Sequence, residues 1–372
     1  MLNRVIFLPA AFFLTSLAPL RAAVEDSVKA LAATGREGAG NEAAAAAWKA
    51  VVSEGPRALP ALLVATGTRG VVVDNWLRLA ADAITDAITD AALHAKQPLP
   101  LAEVEAFLKD TKNAAPARQL AFDLIAKADA ALADKIEPGL VNDPVQELRR
   151  GAVARLITAA KSKAGDDAKF AYLHALDAVR DEDQTNEIAG ALKKLGVTVD
   201  LPKHFGFLMK WNVIGPFDNT DRKGFDTVFP PEREVKPDTE YNGKTGKVKW
   251  KTVESKDERG KFDFNKPFGS LKGVTGYGVT TFDSATEREA ELRLGCKNGW
   301  KVWLNGELLF SRDEYHRGAQ MDQYKMKCRL KKGANTILVK CCQDEQKEEW
   351  TVEWEFQLRV CDSTGTAILS TK

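Results

Sequence analysis

The segment Trp300–Phe310 constrains the fold of this chain more than any other stretch. Residues that favour β-strands stand on both sides of the pair Asn305-Gly306. A two-residue turn of type I′ needs a positive φ angle at both central positions, and Asn and Gly adopt that conformation more readily than other residues. The segment therefore predicts an antiparallel β-hairpin with Asn305 and Gly306 at its turn.

Short strand patterns recur throughout the C-terminal half, and the composition changes with them. Six of the eight tryptophans follow residue 200, where aromatic residues become common. The predicted strands are residues 205–213, 247–253, 276–282, 289–295, 300–304, 307–310, 323–330, 336–342 and 351–360. Several short strands separated by turn residues, rather than by helices, predict an antiparallel β-sandwich of the jelly-roll type.

The N-terminal half has the pattern of helices. It is rich in alanine, and apolar residues recur at helical spacing. One such stripe consists of Leu77, Ala80, Ala81, Ile84, Ile88 and Leu93. Asp143-Pro144 places a capping acid and a proline ahead of a further helix. The sequence thus predicts a multi-domain α plus β chain, with a helical domain at 24–197, an extended linker at 198–204 and the β-sandwich at 205–370.

The first 22 residues have the features of a secretory signal peptide. Arg4 supplies the positive charge, an apolar run follows at Val5–Leu20, and cleavage is expected after Ala22 or Ala23. A retained anchor is the alternative, but the run is shorter than the roughly 20 residues that span a bilayer. No cysteine stands near the cleavage point, so a lipoprotein anchor is not expected. We therefore expect a secreted or periplasmic protein with no membrane span after cleavage.

Charge and cysteine usage narrow the function classes. The chain has 53 basic and 52 acidic residues, a formal net charge of +1, which disfavours nucleic acid as a partner. The cysteines are Cys296, Cys328, Cys341, Cys342 and Cys361. An odd number leaves at least one thiol free, and the sequence leaves open whether one disulfide or none forms. Neighbouring strand residues point to opposite faces, so we expect one thiol of Cys341-Cys342 in the core and the other outside.

Motifs of catalysis and metal binding are missing from the sequence. It has no nucleophile elbow, no H-E-x-x-H pair, no phosphate-binding loop and no C-x-x-C spacing. We therefore expect a protein that is not an enzyme and that uses no metal or cofactor. The alternative is a polysaccharide-acting enzyme with a site between the domains, using Asp218, Asp313 or His316.

Two parts of the chain resemble known families. The motifs at 211–219, 295–306 and 332–340 are similar to galactose-binding-like β-sandwiches, which include carbohydrate-binding modules, of exported planctomycete-type bacterial proteins. Arg78, Arg118 and Arg149 share a helical offset to an alanine, so the N-terminal half resembles HEAT repeats, although an irregular bundle gives the same pattern. The resemblance implies carbohydrate binding by the sandwich, and the helical domain is expected to bind protein. A purely structural module of the cell envelope is a further alternative.

Candidate ligand-binding residues stand in loops and beside the hairpin turn. Asp218 and Asn219 follow a predicted strand, although Asp and Asn are also ordinary turn residues. Arg312, Tyr315 and His316 lie in the longest polar loop of the sandwich, where groups that bind sugar hydroxyls tend to collect. Trp303 could stack on a sugar ring, but large aromatic residues are more often part of the core.

Overall fold

A computed structural model describes residues 25–31, 33–35, 38–68, 70–88 and 98–372. The predicted signal peptide and the stripe residue Leu93 lie outside these residues. The chain divides into two compact units, residues 1–158 and 159–372. Within the described ranges, no helix is both long enough and apolar enough to span a bilayer.

The first unit is helical, as the sequence predicts. Its longer helices are α1 Asn41–Ser53, α2 Leu59–Ala65, α3 Val71–Ile88, α4 Leu101–Lys109, α5 Ala115–Ala128, α6 Ala130–Ile136 and α7 Gln146–Lys161, the last of which continues into the second unit. Leu77, Ala80, Ala81 and Ile84 are buried in its core, so the predicted apolar stripe of α3 is confirmed over these positions. The HEAT-type repeat stays a prediction.

A buried ion pair links α5 to the segment before α7. Arg118 donates from Nη1 and Nη2 to the two carboxylate oxygens of Asp143, at 2.8 and 2.6 Å, and from Nε to the carbonyl of Leu108 at 2.7 Å. Asp143 also accepts from the backbone N–H of Val145 at 2.8 Å, directly before α7 begins at Gln146. Arg149 donates to the carbonyl of Asp143. This ion pair therefore joins separate stretches of the helical unit.

The second unit begins with helices and continues into the sheets. Its helices α8 Gly165–Ala178, α9 Glu182–Lys194 and α10 Leu201–Phe205 precede the strands. Glu182 pairs with Arg259 at 3.2 Å, and Arg180 donates to Thr366 at 2.6 Å. These contacts join α9 and the residues just before it to the sandwich. The boundary between the two units thus lies after residue 158, whereas the sequence predicts a domain boundary near residue 197. The expected extended linker at 198–204 is wrong over 201–204, because the side chain of Asp200 caps α10.

Twelve strands follow in the described part of the second unit, and all their pairings are antiparallel. They are β1 Lys210–Asp218, β2 Tyr241–Asn242, β3 Lys247–Val248, β4 Lys251–Glu254, β5 Lys261–Asp263, β6 Val274–Ser284, β7 Arg288–Cys296, β8 Gly299–Leu304, β9 Glu307–Arg312, β10 Tyr324–Leu330, β11 Gly333–Gln343 and β12 Glu355–Cys361. Short helices α11 Pro230–Arg233 and α12 Asn265–Phe268 lie between them. A six-stranded sheet has the order β4-β1-β6-β11-β8-β9, and a four-stranded sheet has the order β10-β7-β12-β5. The predicted α plus β fold with an antiparallel β-sandwich is confirmed.

The hairpin of β8 and β9 has the predicted turn. Asn305 has a φ of 53° and Gly306 a φ of 85°. Asn305 also accepts from the backbone N–H of Thr336 at 3.0 Å, which ties the turn to β11. The local pattern was therefore sufficient to predict this element.

Apolar side chains cover both faces of the six-stranded sheet. Trp211, Trp300, Trp354, Phe262 and Phe356 belong to the core that both sheets share. On the other face, a second cluster contains Ile214, Phe217, Tyr277, Trp303 and Leu338. The expectation that one thiol of Cys341-Cys342 lies outside is wrong, because both are fully buried. All five cysteines are free thiols in this structure.

Candidate functional site

Three loops of the sandwich meet at one end of the six-stranded sheet. They follow β1, join β9 to β10 and join β11 to β12. Asp218 of β1 and Gln343 of β11 both pair with Val274 at the start of β6, so the loops that follow them lie side by side. We call the side chains that meet there the loop-end cluster; it consists of Asn219, Arg222, Tyr315, His316, Asp344 and Trp350.

Asp344 is the centre of the cluster, and its side chain is 1% exposed. His316 Nε2 lies 2.8 Å from Oδ1, and Arg222 donates to Oδ2 at 2.8 Å. Burial opposes ionisation of Asp344, but the hydrogen bonds from His316, the backbone of Gln346 and Arg222 outweigh it and lower the pKa of this carboxyl. Asp344 therefore stays ionised and fixes the orientation of two side chains from two other loops.

Tyr315 and Asn219 form the second part of the cluster. The guanidinium of Arg222 lies 4.6 Å from the centre of the Tyr315 ring. Asn219 donates to the Tyr315 hydroxyl at 3.3 Å and to the carbonyl of Gln343 at 3.0 Å. Burial raises the pKa of Tyr315, so its hydroxyl stays protonated. Gly299 is required here, because a Cβ at this position would lie 2.9 Å from the Tyr315 ring.

Strained backbone is concentrated in the same loops. Asp221, Arg222 and His316 have φ angles of 57°, 60° and 58°, in the left-handed region that non-glycine residues seldom adopt. Each such residue costs on the order of 1–3 kcal/mol, and strain of this kind clusters at functional sites. In these loops the backbone N–H of Asp221 donates to Glu345 at 2.7 Å, and the His316 ring contacts Asp344.

Trp350 supplies an open apolar face next to these polar groups. Its side chain is 60% exposed, and its ring meets the His316 ring edge-to-face at 5.4 Å. The side chain of His316 is only 6% exposed, and within the described part of the chain its Nδ1 atom has no hydrogen-bond partner. A buried ring nitrogen without a partner is uncommon in native proteins. The cluster thus combines an exposed indole with an unsatisfied polar atom beside it.

The structure brings together three of the residues that the sequence singled out. Asn219, Tyr315 and His316 belong to the loop-end cluster. Asp218 lies at its rim, 3.0 Å from Lys244, and the hydroxyl of Thr220 is the main cause of its lowered pKa. Arg312 is exposed on β9, with its guanidinium 5.3 Å from the ring of Phe310.

Trp303 requires a correction. It is 7% exposed and packs in the cluster on the outer face of the six-stranded sheet, so its ring cannot serve as a stacking surface. Asp313, named for the enzyme alternative, has a pKa raised by burial and then by Asp226. The carboxylate that contacts His316 is that of Asp344.

Sequence reasoning missed Arg222, Asp344 and Trp350. The charged run from Gln343 to Glu349 has the composition of a solvated loop, yet Gln343 and Asp344 are buried. A usable signal was the position of Trp350 directly after a charged run, outside the alternation of a strand. The described residues contain no group of three or more His, Cys, Asp and Glu side chains placed to hold a metal ion.

The ionised state of Asp344 gives a testable pH dependence. Its pKa is lower in the folded than in the unfolded chain, so its stabilising contribution is present above the ordinary value of about 3.9 and is lost as the pH falls through the lower, folded value. We expect the stability of the sandwich to decline below about pH 4, and less steeply in Asp344→Asn. Urea unfolding followed by tryptophan fluorescence between pH 7 and pH 3 measures both slopes.

The control for that titration is Asp221→Asn. Asp221 is an exposed neighbour in the left-handed region, which Asn also tolerates. Equal acid sensitivity of wild-type protein and Asp344→Asn would show that Asp344 does not contribute.

Comparison with known proteins does not assign this chain to a family. No family model matches the sequence, and no curated protein matches it. Among solved structures, it matches a β-glucosidase from Kluyveromyces marxianus (11% identity, 78% of this chain and 34% of that chain, TM-score 0.29). It also matches an anti-sigma factor domain-containing protein (19% identity, 32% and 42%, TM-score 0.22) and a GH31 α-xylosidase from Xanthomonas citri (11% identity, 42% and 16%, TM-score 0.20). The chain spans less than half the length of each, and likeness at these TM-scores carries no argument about function.

Proposed function

We propose that this protein is an exported, non-catalytic binding protein whose β-sandwich binds carbohydrate at the loop-end cluster. The observation that supports this most is the exposed indole of Trp350 beside the buried ring of His316, with the half-exposed guanidinium of Arg222 in the same cluster. The C–H face of a pyranose ring stacks on such an indole, while its hydroxyls need donors and acceptors at the edge of the ring. A rigid cluster also keeps the entropic cost of binding low.

The charges of the cluster favour a neutral sugar. The guanidinium of Arg222 is paired with the buried carboxylate of Asp344, so the cluster offers directed hydrogen bonds rather than a free positive charge. An anionic sugar would have to compete with Asp344 for the same guanidinium. We therefore expect neutral glycans to bind better than uronic acids.

For the helical unit we propose a protein-binding role. Val64, Val71, Val72 and Leu79 are exposed on α2 and α3, and exposed apolar surface is a feature of protein interaction sites. The HEAT-type arrangement of this unit belongs to the same proposal, as does export by the signal peptide.

The test of carbohydrate binding is a glycan array followed by calorimetry on the full chain. We expect Trp350→Ala to weaken binding of the best glycan by about tenfold or more, which corresponds to the loss of about 1.4 kcal/mol from stacking. Phe170→Ala is the matched control, because Phe170 is also a largely exposed aromatic residue but lies on α8.

Three results are informative. Unchanged affinity in Trp350→Ala would contradict the assignment of the site. Absence of binding to every glycan would favour the purely structural alternative. Release of products from a polysaccharide, abolished by His316→Ala, would favour the enzyme.

A further inference from the structure

Two of the five buried thiols lie next to each other in the core of the sandwich. Cys296 Sγ is 3.9 Å from Cys341 Sγ, and both side chains are buried. The two residues are 45 positions apart in the sequence. Their proximity therefore depends on the fold and could not be read from cysteine spacing.

The position of the pair explains why the sulfurs approach so closely. Cys296 ends β7 of the four-stranded sheet, and β8 of the six-stranded sheet begins at Gly299. In the six-stranded sheet, Trp300 of β8 is the register partner of Cys341 on β11. The two sheets thus meet at this corner, where the chain crosses from one to the other.

The surroundings are those of packed thiols rather than of a reactive one. Cys296 Sγ lies 3.4 Å from the carbonyl of Glu355 and 3.6 Å from that of Asn298. Burial raises the pKa of Cys341 well above its usual range, so little thiolate is present in the folded protein. A nucleophilic or redox-cycling cysteine needs the opposite environment.

We propose that Cys296 and Cys341 form a disulfide that links the two sheets when the chain folds in an oxidising medium. The oxidant is a small-molecule or protein disulfide, such as oxidised glutathione. One cysteine thiolate attacks a sulfur of that disulfide, which gives a mixed disulfide and releases one thiolate. The second cysteine thiolate attacks the protein sulfur of the mixed disulfide, which closes the bridge and releases the other. Two protein thiols lose two protons and two electrons, and one disulfide is reduced to two thiols.

Burial determines when this reaction takes place. Exchange requires a thiolate and access to it, and both are available while the chain is still unfolded. The bridge therefore forms during folding, and the finished sandwich protects it from reductants. Protein that has folded with reduced thiols should react slowly with the same oxidant.

The test refolds the full chain from urea in a mixture of reduced and oxidised glutathione and alkylates the remaining thiols in denaturant. We expect three alkylated cysteines, which is the five of the chain less the two in the bridge. Trypsin should then release Leu294–Lys297 linked to Cys341–Lys347. Five alkylated cysteines, or a link between any other pair, would overturn the proposal.

Cys342 gives a matched control because it lies in the same tryptic peptide as Cys341. Cys342→Ser should keep the linked peptides, and Cys341→Ser should lose them. Protein refolded in the presence of a reductant should have a lower midpoint of thermal unfolding than protein refolded in the glutathione mixture, for wild-type protein and Cys342→Ser but not for Cys296→Ser. If a serine variant does not fold, fragmentation of the linked wild-type peptides still decides between Cys341 and Cys342. A link to Cys342 would refute the assignment.

Discussion

Lys340→Met is expected to lower the free energy of unfolding of the sandwich by about 3–5 kcal/mol. Lys340 lies in the middle of β11 with a fully buried side chain. Its Nζ donates to the carbonyls of Phe225 and Thr227, at 2.9 and 2.8 Å, and to Glu232 at 2.8 Å. Removal of the ammonium would leave the buried carboxylate of Glu232 and two carbonyls without this donor, which costs more than the lysine's own desolvation.

Urea unfolding followed by tryptophan fluorescence measures this loss, since six of the eight tryptophans lie in the sandwich. Lys327→Met is the matched control, because Lys327 is an exposed lysine on β10, and its replacement should change stability by no more than about 0.5 kcal/mol. Glu232→Gln combined with Lys340→Met should cost less than the sum of the two single changes. A loss below about 1 kcal/mol for Lys340→Met would mean that the buried ion pair does not hold this face together.

Arg118→Met should destabilise the helical unit by a similar amount, about 3–5 kcal/mol. Arg118 is buried, and its two hydrogen bonds to Asp143 are the strong, bidentate kind. The change would leave Asp143 buried and would also remove the donor to the carbonyl of Leu108. Hydrogen exchange with mass spectrometry on the full chain reports the opening free energy of the peptides that contain α5.

Arg78→Met is the comparison that isolates burial. Arg78 on α3 stands three residues before an alanine, as Arg118 does on α5. It pairs with Asp123 at 2.6 Å, but its side chain is about half exposed. We expect a loss of less than about 1 kcal/mol there. Equal losses at both arginines would show that the desolvation of the Arg118–Asp143 pair is unimportant.

Local signals in the sequence were enough for most of the fold. The turn at Asn305-Gly306 and the alternation in β7, β8 and β11 depend only on neighbouring residues, and these strands lie where they were expected. The strands β2 and β5 were missed because they are only two and three residues long, too short to show a pattern. The predicted strand at 351–360 begins at Glu355, because Glu349–Thr351 form a 3₁₀ turn.

The candidate site was harder to predict because it depends on register. Asn219, Tyr315 and His316 could be named since they are polar residues in loops. Asp344 and Arg222 could not, because their meeting follows from the pairing of β1 and β11 with β6. For Lys340, strand alternation alone gives an outward position, and the sequence offers no hint that residues 225–232 cover it.

The burial of Lys340 beneath residues 225–232 limits which parts of the sandwich can change in evolution. Phe225, Thr227 and Glu232 contact the Lys340 ammonium, and β11 is buried on both faces from Ile337 to Gln343. This stretch of β11 offers no open face to other molecules, whereas residues of the edge strands β4 and β9 are exposed. Substitutions in the loops at the end of the sheet can therefore change the surface offered to other molecules while the buried core stays the same, as in scaffolds that evolve new specificities by exchanging their loops.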